Sequence, residues 1–271
     1  MKSNYLKSVD NFKLNDNTKK LLRKQIELFY NYIINENKIN FNNDEVVLNQ
    51  NNLIHGTRAN IETLEIIASK GLIASEFYDT FNSNKKKPYV VELWDVKEEI
   101  KLSDWIKKYA GVTIDFKNRE GEVYKSIISE FDNIKSNIQK EKEFRDYIIY
   151  QNQEQRFVPN DIVENESTVA FIIEFNNNDE LIKNDIFNVN FDDEIIKDLL
   201  PEWFYDKYMK NRNFDNYETG REKAIIFGIP VSMIKGIMVS RKIEKESSNI
   251  NKIKELFPNC YICNIDGKVI S

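Results

Sequence analysis

One histidine stands in 271 residues, His55, and the next residue, Gly56, is one of only eight glycines. Both lie in NLIHGTRANIETLEIIASKGL, Asn52 to Leu72. The stretch reads as a strand ending in His, a Gly that lets a ligand approach the backbone, the polar pair Thr57 and Arg58, and then an apolar helix. A turn of that kind suits a nucleotide. A second stretch, YETGREKAIIFGIP, sets Glu222 at the front of an apolar strand. Alternation puts Glu222 on one face with Ala224 and Ile226, and Lys223 on the other with Ile225 and Phe227. A carboxylate on an apolar strand face is costly unless it has a partner or a task. Five of the eight glycines (Gly56, Gly71, Gly220, Gly228 and Gly236) fall in these two regions, so backbone geometry is expected to matter there.

A lone histidine narrows the chemistry. Metalloprotease HExxH and HNH-type arrangements need more than one. A structural zinc site needs about four Cys or His ligands, and His55, Cys260 and Cys263 make three. CYIC has CxxC spacing without a partner pair, and on a strand its two sulfurs point to opposite faces. No metal site is expected. There is no glycine-rich P-loop, no GxGxxG and no GxSxG elbow.

The elements that must carry these residues read as follows. NTKKLLRKQIELFYNYIINEN, from Asn17, is an amphipathic helix with Leu21, Ile26, Phe29, Tyr30 and Ile33 on its apolar side. Residues 1–16 are polar and expected to be loosely held. In the helix after His55, Asn60 is the expected N-cap, Glu62 sits in the first turn, Gly71 is the C′ residue, and Ile61, Leu64 and Ala68 face the core. PYVVELWDV (88–96) and STVAFIIEF (167–175) read as strands. A charged helical stretch fills about 122–150. DDEIIKDLLPEWFYDKYMK is helical and broken at Pro201. KAIIFGIPVSMIKGIMVS is strand, short turn or helix, strand. CYICNIDGKVI suggests a hairpin at Asp266-Gly267. Strands and helices mix without regular βαβ alternation, so the fold class is α+β.

Composition sets the remaining bounds. Hydrophobic residues make up 41% and charged residues 31%, enough for a sizeable core. The net charge of −5 argues against broad nucleic-acid binding. No apolar signal segment opens the chain, and no window approaches ~18 consecutive apolar residues, so neither secretion nor a membrane span is expected. A cytoplasmic setting, or delivery by a dedicated apparatus, is the expectation.

Together, IHGTRANIETLEIIASKGL and REKAIIFGIP, which leads into IKGIMV, resemble the first and last motifs of the His-Tyr-Glu branch of ADP-ribosyltransferases. That branch includes the poly(ADP-ribose) polymerases and diphtheria toxin. The match covers roughly fifty residues in two blocks. It implies a split, mixed or antiparallel sheet core that binds NAD⁺ over about 51–271, a helical extension over 1–50, and a helical insertion around 97–155. It implies NAD⁺ as co-substrate and a macromolecular acceptor of ADP-ribose, protein or nucleic acid, with room for an antitoxin or regulatory partner. His55 would hydrogen-bond a ribose hydroxyl, Gly56 would offer backbone groups to the nicotinamide carboxamide, and Thr57 and Arg58 would line the adenosine side. Glu222 would hold the nicotinamide-ribose 2′-hydroxyl and stabilise positive charge as nicotinamide leaves. The middle motif places a Tyr on the next core strand. Tyr89 is the first choice for it, with Tyr78 and Ser167 as rivals. Phe214 and Tyr217 would lie in the target-recognition loop. Arginine-modifying members carry Glu or Gln two residues before the catalytic Glu. Gly220 stands there, so arginine is not the expected acceptor. NAD⁺ glycohydrolysis on the same fold and a catalytically silent interaction module are the alternatives. The related RNA 2′-phosphotransfer fits poorly with a single His.

Overall fold

The computed structural model describes residues 1–32, 45–58, 61–77, 87–105, 168–176, 179–187, 189–202, 205 and 222–271, with backbone alone for Arg58, Thr168 and Glu222. The expected helix at 122–150 and the N-cap residue Asn60 lie outside the described residues.

Two helices open the chain. Residues 1–16 are not loose. Lys2–Asn11 forms α1, with Val9 fully buried and Tyr5, Leu6 and Phe12 packed on the same core. This apolar spacing is one helical stripe. Helix α2, Asp16–Tyr30, starts where the Asn15 side chain accepts from the Thr18 N–H at 2.8 Å. It buries Thr18, Leu22, Gln25, Ile26 and Phe29. Helices α1 and α2 pack on the same core as the sheet.

The body is a six-stranded sheet. Its strands are β2 (Asn52–Arg58), β4 (Val90–Asp95), β6 (Thr168–Glu174), β7 (Glu222–Ile226), β9 (Ile234–Val239) and β10 (Tyr261–Asn264). They stand in the order β10-β9-β6-β2-β4-β7. All neighbours are antiparallel except β9 and β10, which are parallel. The class is therefore α+β with a mostly antiparallel sheet. Two short ladders flank it, β1 (Val47–Leu48) with β5 (Ile100–Lys101) and β3 (Leu72–Ile73) with β8 (Gly228–Ile229).

The sheet is apolar on both faces. Leu53, Leu93, Val169, Phe171, Ile173 and Ile237 contribute to the larger core, which also contains the residues buried by α1, α2 and α3 (Ile61–Lys70). Ile54, Trp94, Ala170, Ile172, Met238 and Cys263 pack on the other face with Val46, Leu48, Leu102 and Trp105. Helix α4 (Glu180–Lys183) and helix α5 (Asp193–Leu199) follow β6. Leu200 turns to extended backbone at the end of α5, as the residue before Pro201 should. Helices α6 (Arg241–Glu244) and α7 (Ser247–Leu256) join β9 to β10. Among the described residues no helix is long and apolar enough to cross a membrane.

Helix α3 differs from the expectation at one residue. Leu64 and Ile67 are buried and Ala68 is half-buried, whereas Ile61 is 44% exposed. Ile61 is the first residue of the helix.

Candidate functional site

His55 sits where two strands part company. The β2–β6 ladder runs unbroken from Asn52↔Glu174 to Arg58↔Thr168. On its other side, β2 pairs with β4 only at Leu53↔Asp95 and Ile54↔Trp94. Continuing that register would bring Gly56 opposite Glu92. The ladder stops short, and the His55 ring occupies the gap, with Nδ1 2.8 Å from the Glu92 carbonyl oxygen. The imidazole thus takes the carbonyl that the β2 backbone would have bonded.

The parity of the ladder shows what this leaves for Gly56. The Val96 N–H donates to Asn52 O on the β4 side, and the Phe175 N–H donates to Asn51 O on the β6 side. Alternate residues of a strand aim their backbone groups at alternate neighbours. Ile54 and Gly56 therefore face β4, and the ladder to β4 ends before it reaches Gly56. Its N–H and C=O are turned into the opening between the two strands.

Geometry also assigns the His55 proton. A carbonyl oxygen only accepts, so Nδ1 donates, and in the neutral ring Nε2 is left as an acceptor. The neutral form is favoured because burial lowers the pKa of His55 below its ordinary value, with the Glu92 carbonyl offsetting part of that shift. At pH 7 the ring offers a lone pair at Nε2 rather than a charge. Such a group takes a hydroxyl donor and is a poor anion holder.

Glu222 is the first residue of β7, on the far side of β4. Trp94 stands opposite both Glu222 and Ile54. Two strand spacings thus separate positions 222 and 54, roughly 10 Å. In a continuous sheet, one step along β2 would move His55 to the other face from that row. The unbroken β2–β6 ladder keeps that alternation, so His55 shares the face of Leu53 and Phe171, the Trp94 row shares that of Ile54, and the ring reaches the Glu92 carbonyl from its own face. Position 222 lies opposite Trp94, at the last β2–β4 pair, and the unpaired stretch of the two strands begins at the next row, that of His55 and Leu93, and runs toward Val90. The side chain of Glu222 lies outside the described residues, as does that of Arg58. Thr57 is half-buried on β2, opposite Val169.

Tyr89 immediately precedes β4. It precedes Val90, which pairs with Ile226 at the opposite end of β4 from the Trp94 row. The separation along the strand is five residues, about 17 Å. Its ring is 4% exposed and packs edge-on against Phe12 and Phe77 at 5.1 and 5.9 Å. The unpaired stretch between β2 and β4 runs toward this end of the strand. Tyr78, Ser167, Phe214 and Tyr217 lie outside the described residues. Sequence reasoning missed Glu92, whose backbone anchors the histidine. Its only signal was its place in the strand after the first helix.

Three of the scarce glycines have packing causes. Gly71 has φ +85°, and a Cβ there would meet Ile229 O at 2.6 Å. Gly228 has φ +149°, and a Cβ would meet Leu72 O at 2.1 Å. They are the two sides of the β3–β8 ladder, so the two sequence blocks touch a second time through these glycines. At Gly236 a Cβ would lie 2.2 Å from the Tyr261 ring, which covers that strand position. Cys260 and Cys263 are buried in different cores, on opposite faces as their spacing requires, and burial pushes the Cys260 thiol up to about 12. Among the described residues no group of three or more His, Cys, Asp or Glu side chains is placed to hold a metal ion. Comparisons with protein-family models, with curated proteins and with solved structures return no match.

Proposed function

We propose that this chain cleaves NAD⁺ at its nicotinamide N-glycosidic bond and transfers ADP-ribose to a macromolecular acceptor other than an arginine side chain. One observation carries the reading. The strand bearing His55 and the strand opened by Glu222 lie on either side of β4, and the β2–β4 ladder opens where His55 and Gly56 stand.

The donor set fits a nucleoside. Nε2 of His55 accepts from a ribose hydroxyl. The N–H and C=O of Gly56 match the complementary C=O and N–H of a carboxamide. In this reading Glu222 holds the 2′-hydroxyl of the nicotinamide ribose. As the C1′–N bond breaks, nicotinamide leaves with the electron pair and positive charge grows on the ribose, as in glycoside hydrolysis. A fixed carboxylate beside that charge helps the transition state more than the ground state. The acceptor nucleophile then bonds to C1′ and gives up its proton. Tyr89 has no part in the proposal.

The test incubates the protein with labelled NAD⁺ and a cell lysate, beside Glu222→Gln. Label transferred to macromolecule and lost in the variant supports transfer. Free ADP-ribose without transfer moves the reading to glycohydrolysis. A folded protein that neither binds nor turns over NAD⁺ overturns it.

A further inference from the structure

We infer that Lys223 is a positioning residue that fixes the start of β7 and with it the place of Glu222. This inference rests on the reading above for its consequence in catalysis, and on the ion cluster around Lys223 for its geometry.

Lys223 is the residue after Glu222, and its side chain is only 16% exposed. Its Nζ lies 3.4 Å from Asp95 Oδ2 and 3.7 Å from Asp185 Oδ2. Both carboxylates are buried, with side chains 6% and 2% exposed. Asp95 is on β4, two residues from Leu93, the cross-strand partner of Lys223, so the pair is a same-face diagonal contact. Asp185 comes from the other side, after α4. Its Oδ1 accepts from the Ala224 N–H at 2.8 Å and from the Phe187 N–H at 3.1 Å. Ile186 donates to Ala224 O at 3.1 Å, and Asp185 forms a bridge with Ile225.

This arrangement does the work of an edge strand that the sheet lacks. Antiparallel parity turns the backbone of Ala224 away from β4, where an isolated edge would leave it unpaired. One carboxylate of Asp185 satisfies that N–H and also faces the ammonium of Lys223. The ammonium reaches across to β4. Residues 223 and 224 are thus held from both sides, one and two positions beyond Glu222. Asp95 has a further cation, Lys97, at 2.5 Å, but Lys97 is 46% exposed and belongs to the strand's own end. Among the described residues, only Lys223 is ion-paired to both buried carboxylates. Removing it takes away the ammonium that links Asp185 to β4, while Asp95 keeps Lys97 and Asp185 keeps its backbone donors. A shift of about 1 Å at a catalytic group lowers a rate by up to about 100-fold.

The experiment compares wild type, Lys223→Met and Lys223→Arg by two readouts. The first is amide hydrogen exchange of the β7 segment, with α3 and α7 as internal references. The second is NAD⁺ turnover resolved into kcat and KM. The expected result in Lys223→Met is exchange about 10-fold faster in β7 with the references unchanged, and kcat lowered about 10- to 100-fold with KM for NAD⁺ within about twofold. Lys223→Arg restores both, because it keeps the charge between the carboxylates. If Lys223→Met does not fold, Asp95→Asn leaves the Lys223–Asp185 pair and makes the same test with a smaller displacement, with the same direction expected in both readouts. Unchanged β7 exchange in a folded variant overturns the inference, as does faster exchange with unchanged kcat. Absence of turnover in wild type removes the transferase reading, and the exchange measurement still decides whether Lys223 pins the strand.

Discussion

Replacing His55 with alanine separates a wedge from a strut. In the wild type the ring makes one hydrogen bond, Nδ1 to Glu92 O at 2.8 Å, from a half-buried position. Such a bond contributes about 0.5–1.5 kcal/mol net. If the ring were a passive strut, its loss would leave the Glu92 carbonyl without that donor, at about 1–3 kcal/mol, with a further cost for the space vacated. The destabilisation would total about 3 kcal/mol. The register argues for a smaller number. Gly56 is the residue that would face Glu92 if the β2–β4 ladder ran one pair further. With the ring gone, the Gly56 N–H is available to the carbonyl, and one new ladder bond offsets the lost one. We expect a destabilisation near 1 kcal/mol by urea unfolding and slower, not faster, hydrogen exchange at the Gly56 amide. NAD⁺ turnover should fall about 100-fold, since the acceptor at Nε2 is gone and the opening has narrowed. A loss of about 3 kcal/mol or more with faster Gly56 exchange would refute the wedge. Full turnover in the variant would refute the role at Nε2.

Four further outcomes follow from the same geometry. Glu222→Gln should lower kcat about 100- to 1,000-fold with little change in melting temperature, read by single-turnover NAD⁺ cleavage. The pKa of His55 is lower folded than unfolded, so stability is level above the unfolded value near 6.5 and declines as pH falls from there toward the folded pKa, because the unfolded state binds the proton first. His55→Ala should flatten that limb in denaturation curves taken between about pH 7.5 and 5, and wild-type turnover should fall as Nε2 gains a proton. Tyr89→Phe should leave NAD⁺ turnover unchanged, whereas Tyr89→Ala should cost about 3–5 kcal/mol of stability as the aromatic cluster opens. Gly228→Ala should cost about 3 kcal/mol or more, since its φ of +149° and the 2.1 Å approach to Leu72 O both oppose a side chain, measurable as a lower melting temperature or loss of folded protein.

Strand positions were legible in the sequence, and pairing was not. Thr168–Glu174 and Val90–Asp95 appear within a residue or two of the apolar runs that announce them, because burial on both faces demands continuous hydrophobicity. The turn and short helix between β7 and β9 also follow from Gly228 and Pro230. What composition cannot express is which strand lies beside which, and in what register. Register sets Tyr89 one residue beyond the Val90–Ile226 pair, and residue type alone does not express it. The α1 stripe of Tyr5, Leu6, Val9 and Phe12 was hidden among Lys and Asn, and only the covering partner reveals it. Ile61 lies on the same stripe as Leu64 and Ala68 but at the first position of the helix, and periodicity alone does not say how far along the stripe is covered.

The glycines show how the same signal divides into unlike causes. Scarcity in the chain as a whole made each one conspicuous. Gly71 and Gly228 are required where β3 and β8 approach one another, and Gly236 where Tyr261 lies over the strand. These needs are met by packing, and they give no reason to suppose a ligand. Gly56 differs because parity aims its backbone at β4 beyond the last ladder pair. Among the described residues the β4 ladder does not reach the N–H and C=O of Gly56, which is half-buried. The histidine beside it has already taken the one carbonyl β4 could offer. That the chain's sole imidazole holds the ladder open, instead of letting Gly56 and Glu92 close it, is the physical reason to look for a ligand there.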